Sequence, residues 1–267
     1  MNAVRTPPVN EVVLSVQFPP QDQLIGPRLP QMLGEWYETH PGITTAPPYE
    51  MPAEHESLYA GQPGLGSPRI EIAGPGAESR YWFSSGDEVY VIQVQRSFLA
   101  LNWRRRTEEY VRFDELRKRF LDVAGTVMKN LEAHGGTLVP NRAELSYINM
   151  VQPNDVWAKA NDLHKLIDIN FWDRDVYEQF ALQYSKSLHR NGQWIGRSHV
   201  VVQPIYSWLT QEPSLYVNLT ARSGLLETPN FEASIDFLDY AHDSINHTFL
   251  SMLRPEATTF WGLTSDS

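Results

Sequence analysis

Apolar residues recur along the chain with two different periods. Val12, Leu14, Val16 and Phe18 alternate with Val13, Ser15 and Gln17 and run into Pro19 and Pro20, the period-2 pattern of a strand. From Pro27 to His40, Leu29, Met32, Leu33 and Trp36 fall every three or four positions, which predicts a short helix. Residues 41–79 hold Pro41-Gly42, Pro47-Pro48, Pro63-Gly64 and Gly74-Pro75-Gly76 with little periodicity. They predict an extended surface loop, long enough to be either mobile or recruited for contact. Arg80–Ser85, Glu88–Gln95 and Ser97–Arg104 are three β-rich runs broken by turn residues, a meander. Phe113, Leu116, Phe120, Val123, Val127 and Leu131 then mark one face of a long helix that Gly135-Gly136 stops.

After Pro140 the same order begins again. Glu144–Val151 is strand-like and Asp155–Lys165 helical in pattern, while Tyr177–Leu188, Gln193–Leu209 and Ser214–Ser223 are strand candidates. Phe231, Ile235, Leu238, Ala241, Ile245, Phe249 and Met252 lie on one face of a last long helix, with Asn230 placed as its N-cap. Two local matches join the halves: the run from Glu11 to Phe18 aligns with that from Glu144 to Val151, each opening with Glu and leading to a Pro, and Phe120-Leu-Asp-Val-Ala124 repeats as Phe237-Leu-Asp-Tyr-Ala241. The expected fold is α+β, a tandem duplication of a strand–helix–antiparallel sheet–long helix unit. Residues 1–138 form the first half and 139–267 the second, joined in one pseudo-symmetric domain. This plan resembles the duplicated fold of the TATA-box-binding protein and, more loosely, helix-grip folds. Such a resemblance carries fold and not function.

Composition narrows the class. Hydrophobic residues make up 42% of 267 and eight are Trp, enough to pack a core and exclude global disorder. There is no cysteine, so disulfides, thiolate metal sites and cysteine nucleophiles are all excluded. No stretch approaches the ~20 apolar residues of a membrane span, and Met1–Pro8 lacks an apolar core like that of a signal peptide. The expected location is therefore the cytoplasm, with no membrane contact. A formal charge of −10 opposes general nucleic-acid binding, which depends on neutralising phosphates. It favours docking to another protein, in particular a basic one.

The run from Pro7 to Phe18, Gln93-Val-Gln95 with Asn102-Trp-Arg104, and Glu144-Leu-Ser-Tyr-Ile-Asn149 together resemble a sporadically distributed family of bacterial proteins of about this length, for which no activity is established. The resemblance covers nearly the whole chain. It implies a bacterial cytoplasmic protein with an accessory role, such as defence or antitoxin-like restraint, and assigns no function to particular residues.

Candidate chemistry is sparse. On the last helix Asp239, His242, Asp243 and His247 crowd one side, a spacing that a metal site or acid/base pair can use. His242 also borders the apolar stripe, where a hydrogen-bonded core histidine is the simpler account, so no metal site is assigned. Asp239 and His242 remain the pocket candidates. His164, Asp168, Asp173 and Asp175 around Trp172 lack ligand spacing and read as solvated charges. Trp103 with Arg104, Arg105 and Arg106 forms the phosphate or nucleic-acid candidate. The acids that follow them, Glu108, Glu109, Asp114, Glu115 and Asp122, instead suit a mixed-charge surface. Aromatics near strand ends, Trp194, Trp208 and Tyr206, are the partner-binding candidates. No phosphate-binding glycine loop, nucleophile-elbow serine or paired-histidine zinc motif occurs, so no catalytic residue or cofactor is assigned.

The leading expectation is a non-catalytic protein-binding module, antitoxin-like or defence-associated, that uses a curved sheet or the 41–79 loop. Two alternatives stay open: a small-ligand pocket or cryptic enzyme site between sheet and last helix, and a clamp on nucleic acid. Homo-oligomerisation also stays open.

Overall fold

The alternating run at the start becomes β1 (Val9–Gln17), whose Val12, Leu14 and Val16 are fully buried. The structure, a computed structural model, describes residues 7–24, 29, 33–57, 79–107, 109–158, 162–168, 181–206 and 212–263. The meander forms as its pattern predicts: β3 (Arg80–Ser84), β4 (Tyr90–Gln95) and β5 (Phe98–Arg104). In the second half β6 (Arg142–Val151) is followed by β7 (Leu182–Arg190), β8 (Gln193–Tyr206) and β9 (Pro213–Ser223). With β2 (Gly42–Ala46) these strands make one antiparallel sheet in the order β2-β3-β4-β5-β1-β6-β9-β8-β7.

Among the described residues the α-helices are α1 (Trp36–Thr39), α2 (Phe113–Ala133), α3 (Leu163–Leu166), α4 (Phe231–Met252) and α5 (Pro255–Trp261). The amphipathic stripe of α2 buries Phe113, Leu116, Phe120, Val123, Val127 and Leu131, each contributing roughly 1.5–3 kcal/mol. It ends where Gly135 takes φ 76° and the Gly136 N–H bonds back to the Leu131 carbonyl at 2.8 Å, a left-handed stop that glycine adopts without strain. On α4, Asn230 caps as its position predicts, its side chain accepting from the Ala233 N–H at 2.7 Å. The helix α2 lies on β5, and α4 lies on β6 and β9. Both cover the face carrying Leu14, Leu101, Leu145 and Leu219.

Three predicted elements are met only in part among the described residues. Of the helix expected over 27–40, residues 27–28 and 30–32 lie outside the described residues; α1 covers part of the rest, and Leu29 and Leu33 are buried as its periodicity requires. Within the helix expected over 155–165, residues 155–158 are not helical, 159–161 lie outside the described residues and α3 is the described helix. Upstream of it, the Asn154 side chain accepts from the N–H groups of Val156 (2.8 Å) and Trp157 (3.3 Å), giving the backbone a turn in place of a helix. The loop expected over 41–79 begins with edge strand β2, paired to β3 from Gly42↔Ser84 to Ala46↔Arg80. It continues as a strap that crosses the helix-free face of the sheet, while 58–78 lie outside the described residues.

Candidate functional site

Strand alternation sends every second side chain to the helix-free face. Register puts Gln93 and Gln95 of β4, Asn102 and Arg104 of β5, Glu11 and Ser15 of β1, Glu144 and Ser146 of β6, Asn218, Thr220 and Arg222 of β9, and Arg197 and His199 of β8 together there. Sequence alone does not group them as one face, because most of their partners come from strands distant in the chain.

The N-terminal half of this face holds a chain of hydrogen bonds. Gln93 Nε2 donates to Asn102 Oδ1 (2.5 Å) and Asn102 Nδ2 to Glu11 Oε1 (2.5 Å), which Arg104 Nε also reaches at 3.3 Å. Arg80 and Arg104 both lie over the Trp82 ring, at 5.4 Å from its centroid, within cation–π range.

Residues 47–57 cross the middle and the C-terminal half as the strap. Gln95 grips the main chain of Tyr49 twice, accepting from its N–H at 2.8 Å and donating to its carbonyl at 2.5 Å. The Tyr49 ring meets Phe98 edge-on, with centroids 5.0 Å apart. Met51 is buried against Phe98, Ala100 and Val13. Further on, the Glu54 carboxylate is clamped by His199 Nε2 (2.6 Å), Arg222 Nη1 (2.9 Å) and Arg197 Nε (3.2 Å). Arg222 also holds Glu144 at 2.5 Å, and Glu144 accepts from the Tyr49 hydroxyl at 3.3 Å.

The electrostatics follow from this packing. Burial pushes the Glu54 carboxyl up, but its bonds to His199 and Arg222 and their charges outweigh burial, leaving it below its ordinary value. Burial and the neighbouring Glu144 push the Tyr49 phenol well up, so it stays a hydrogen-bond donor. His199 Nδ1 faces Ser185 Oγ at 2.9 Å, which completes a Ser–His–Glu chain. Two guanidiniums share the carboxylate of that chain, so its evident work is to hold Glu54 in place.

The sequence candidates are dispersed. Trp103 is buried on the helix side, edge-on to Tyr110 at 5.7 Å, whereas Arg104 points to the opposite face. Adjacent residues of one strand cannot line one site. Arg105 bonds the Pro7 carbonyl (3.0 Å) and Arg106 pairs with Glu88 (3.3 Å). Trp194 and Tyr206 stand near the two ends of β8, roughly 40 Å apart at ~3.3 Å per residue. The half-buried Trp194 ring packs on Gly224, and Tyr206 is exposed. Trp208, Trp172, Asp173 and Asp175 lie outside the described residues. Asp168 pairs with Arg254 at 2.7 Å.

Asp239 bridges to Arg117 of α2 at 2.7 Å. His242 turns inward, stacked on Phe113 (centroids 4.1 Å apart) between the Tyr147 hydroxyl (2.8 Å) and Asn246 (3.0 Å). The two candidates therefore serve different contacts. An apolar cavity under α4, lined in part by Val151, Leu166, Phe249 and Trp261, measures about 10 Å³, room for one water at most.

Burial lowers the pKa of His242 against the opposing pull of Asp243, Asp114 and Asp239. With the folded value below 6.5, the unfolded chain takes up the proton first. This site's stability is thus complete above pH 6.5 and lost as pH falls through the lowered folded value. His242→Gln is expected to flatten the acid side of the Tm–pH profile; an unchanged profile would contradict the neutral buried imidazole.

Among the described residues no helix is long and apolar enough to cross a membrane, and no group of three or more His, Asp and Glu side chains is placed to hold a metal ion. Comparison with family models, with curated proteins and with solved structures finds no match.

Proposed function

We propose that this protein is a non-catalytic binding module that takes another protein on the strap-bearing face of its sheet. The observation that carries this reading is the asymmetry of the sheet: helices cover one face, while the other, rich in amide, hydroxyl, guanidinium and carboxylate groups, is crossed by the strap. Groups of this kind give directional contacts across an interface. Half-buried Ile148, Tyr216 and Asn218 share that face, and Tyr216 is of a type enriched at interface centres.

Duplication fits the same reading. β1 and β6 pair at the centre of the sheet, and each leads through a short helix and a meander to a long helix. Such an arrangement supports a pseudo-symmetric saddle like that of the TATA-box-binding protein, with the strap-bearing face as its working surface. An antitoxin-like role is one use of such a surface.

The test is native mass spectrometry of the chain purified from its own host. A second protein at fixed stoichiometry is expected. Asn218→Arg, on the proposed face, should weaken its retention about tenfold or more, as truncating or blocking an interface centre does. Lys129→Glu, exposed on α2, should leave it intact. A bare mass, or retention indifferent to Asn218→Arg, would overturn the assignment.

A further inference from the structure

The strap is bound as a peptide ligand would be. Its contacts with the sheet come from side chains: Gln95 reads the main chain of Tyr49, and Arg197 Nη2 reaches the carbonyls of His55 (2.9 Å) and Glu56 (3.3 Å). Three strap side chains are anchors. Tyr49 lies between Phe98 and Glu144, Met51 is 1% exposed in an apolar seat, and Glu54 fills the Arg197–His199–Arg222 clamp. Between them Glu50, Pro52 and Ala53 are exposed, so recognition follows an aromatic–x–Met–x–x–Glu spacing.

From this geometry we propose that the face is a groove for an extended acidic peptide of that spacing, which residues 47–57 occupy in the free chain and a partner's segment takes over. The inference rests on the binding-module reading and gives the partner's chemistry. Net charge alone suggests a basic partner. Two arginines and a histidine converging on one carboxylate instead specify an acidic anchor, since planar guanidiniums match carboxylate geometry. A tethered strap at millimolar effective concentration shields the groove from weak competitors. Its ionic clamp costs desolvation on both sides, which keeps docking exchangeable.

The experiment uses the full chain carrying Tyr49→Ala, Met51→Ala and Glu54→Ala together, with a fluorescent peptide of the sequence PPYEMPAEHES as probe. Saturable binding is expected, about tenfold or more tighter than to the wild-type chain, whose own strap competes. The same peptide with Glu54→Ala should bind about tenfold or more weakly, having lost the charged anchor. A folded variant that ignores the peptide, or binds both peptides alike, overturns the proposal. Should the triple variant not fold, peptide in excess over wild type must speed hydrogen exchange in 47–57; no acceleration overturns it equally. A stable heterodimer of wild type with the variant would assign the groove to a second copy of this chain, and so also overturn it. Loss of peptide binding leaves partner retention and its sensitivity to Asn218→Arg standing, so the two readings fail separately.

Discussion

Glu54→Ala is expected to release the strap, raising hydrogen exchange and protease cleavage within 47–57 by roughly 10²–10³-fold. Removing one partner from a buried ionic cluster costs about 3–5 kcal/mol, because the remaining charges stay desolvated. Here those charges are Arg197, 4% exposed in its side chain, and Arg222, at 12%. The strap sets a ceiling on the loss: once it lifts, water reaches both guanidiniums, so global stability falls by no more than the free energy of strap docking. Local opening should therefore respond more than Tm.

The pH dependence has a definite sign. Glu54 is held below its ordinary value, so its contribution is complete above the ordinary carboxylate range and lost as pH falls through the depressed folded value. The difference in strap protection between wild type and Glu54→Gln should accordingly vanish toward low pH. Exchange in 47–57 that is the same in wild type and Glu54→Ala at neutral pH would refute the latch.

Local pattern and long-range pairing divide what could be read in advance. The α+β class, the meander over 80–104, the helices α2 and α4 and the cap at Asn230 all depend on spacing within a few residues, and all are visible in the chain itself. The strap is not. Glu54 meets Arg197, His199 and Arg222, each more than 140 positions away, and the surrounding Pro47, Pro48 and Pro52 give no period to read. In the same way Trp103 and Arg104 look like one site in sequence and face opposite sides of β5. Glu144 and Gln95 stand in runs that carry the family resemblance, but nothing in those runs shows that β6 and β4 bring them together at Tyr49. His242 was visible as a residue beside an apolar stripe; its stack on Phe113 depends on how α2 and α4 meet.

The second large effect concerns how the clamp is aligned. Gly196 pairs with Ser223 in the β8–β9 ladder, directly beside the Arg197↔Arg222 pair. A Cβ at 196 would fall inside the envelope of the Arg222 carbonyl oxygen and 2.9 Å from Ser223 Cα. Both obstacles are backbone, so no side-chain rotation relieves them, and the strands must part or shift. Gly196→Ala should cost at least the ~3 kcal/mol at the upper end of overpacking penalties. It should also spread Arg197 from Arg222 and loosen the strap, although neither guanidinium is altered. Gly86→Ala, where an added Cβ meets nothing within 4 Å, is the control and should change stability by no more than about 0.5 kcal/mol. If Gly196→Ala melts like wild type, the β8–β9 approach is looser than this register requires. If it melts lower but keeps full strap protection, the clamp is aligned by something other than this pair of strands.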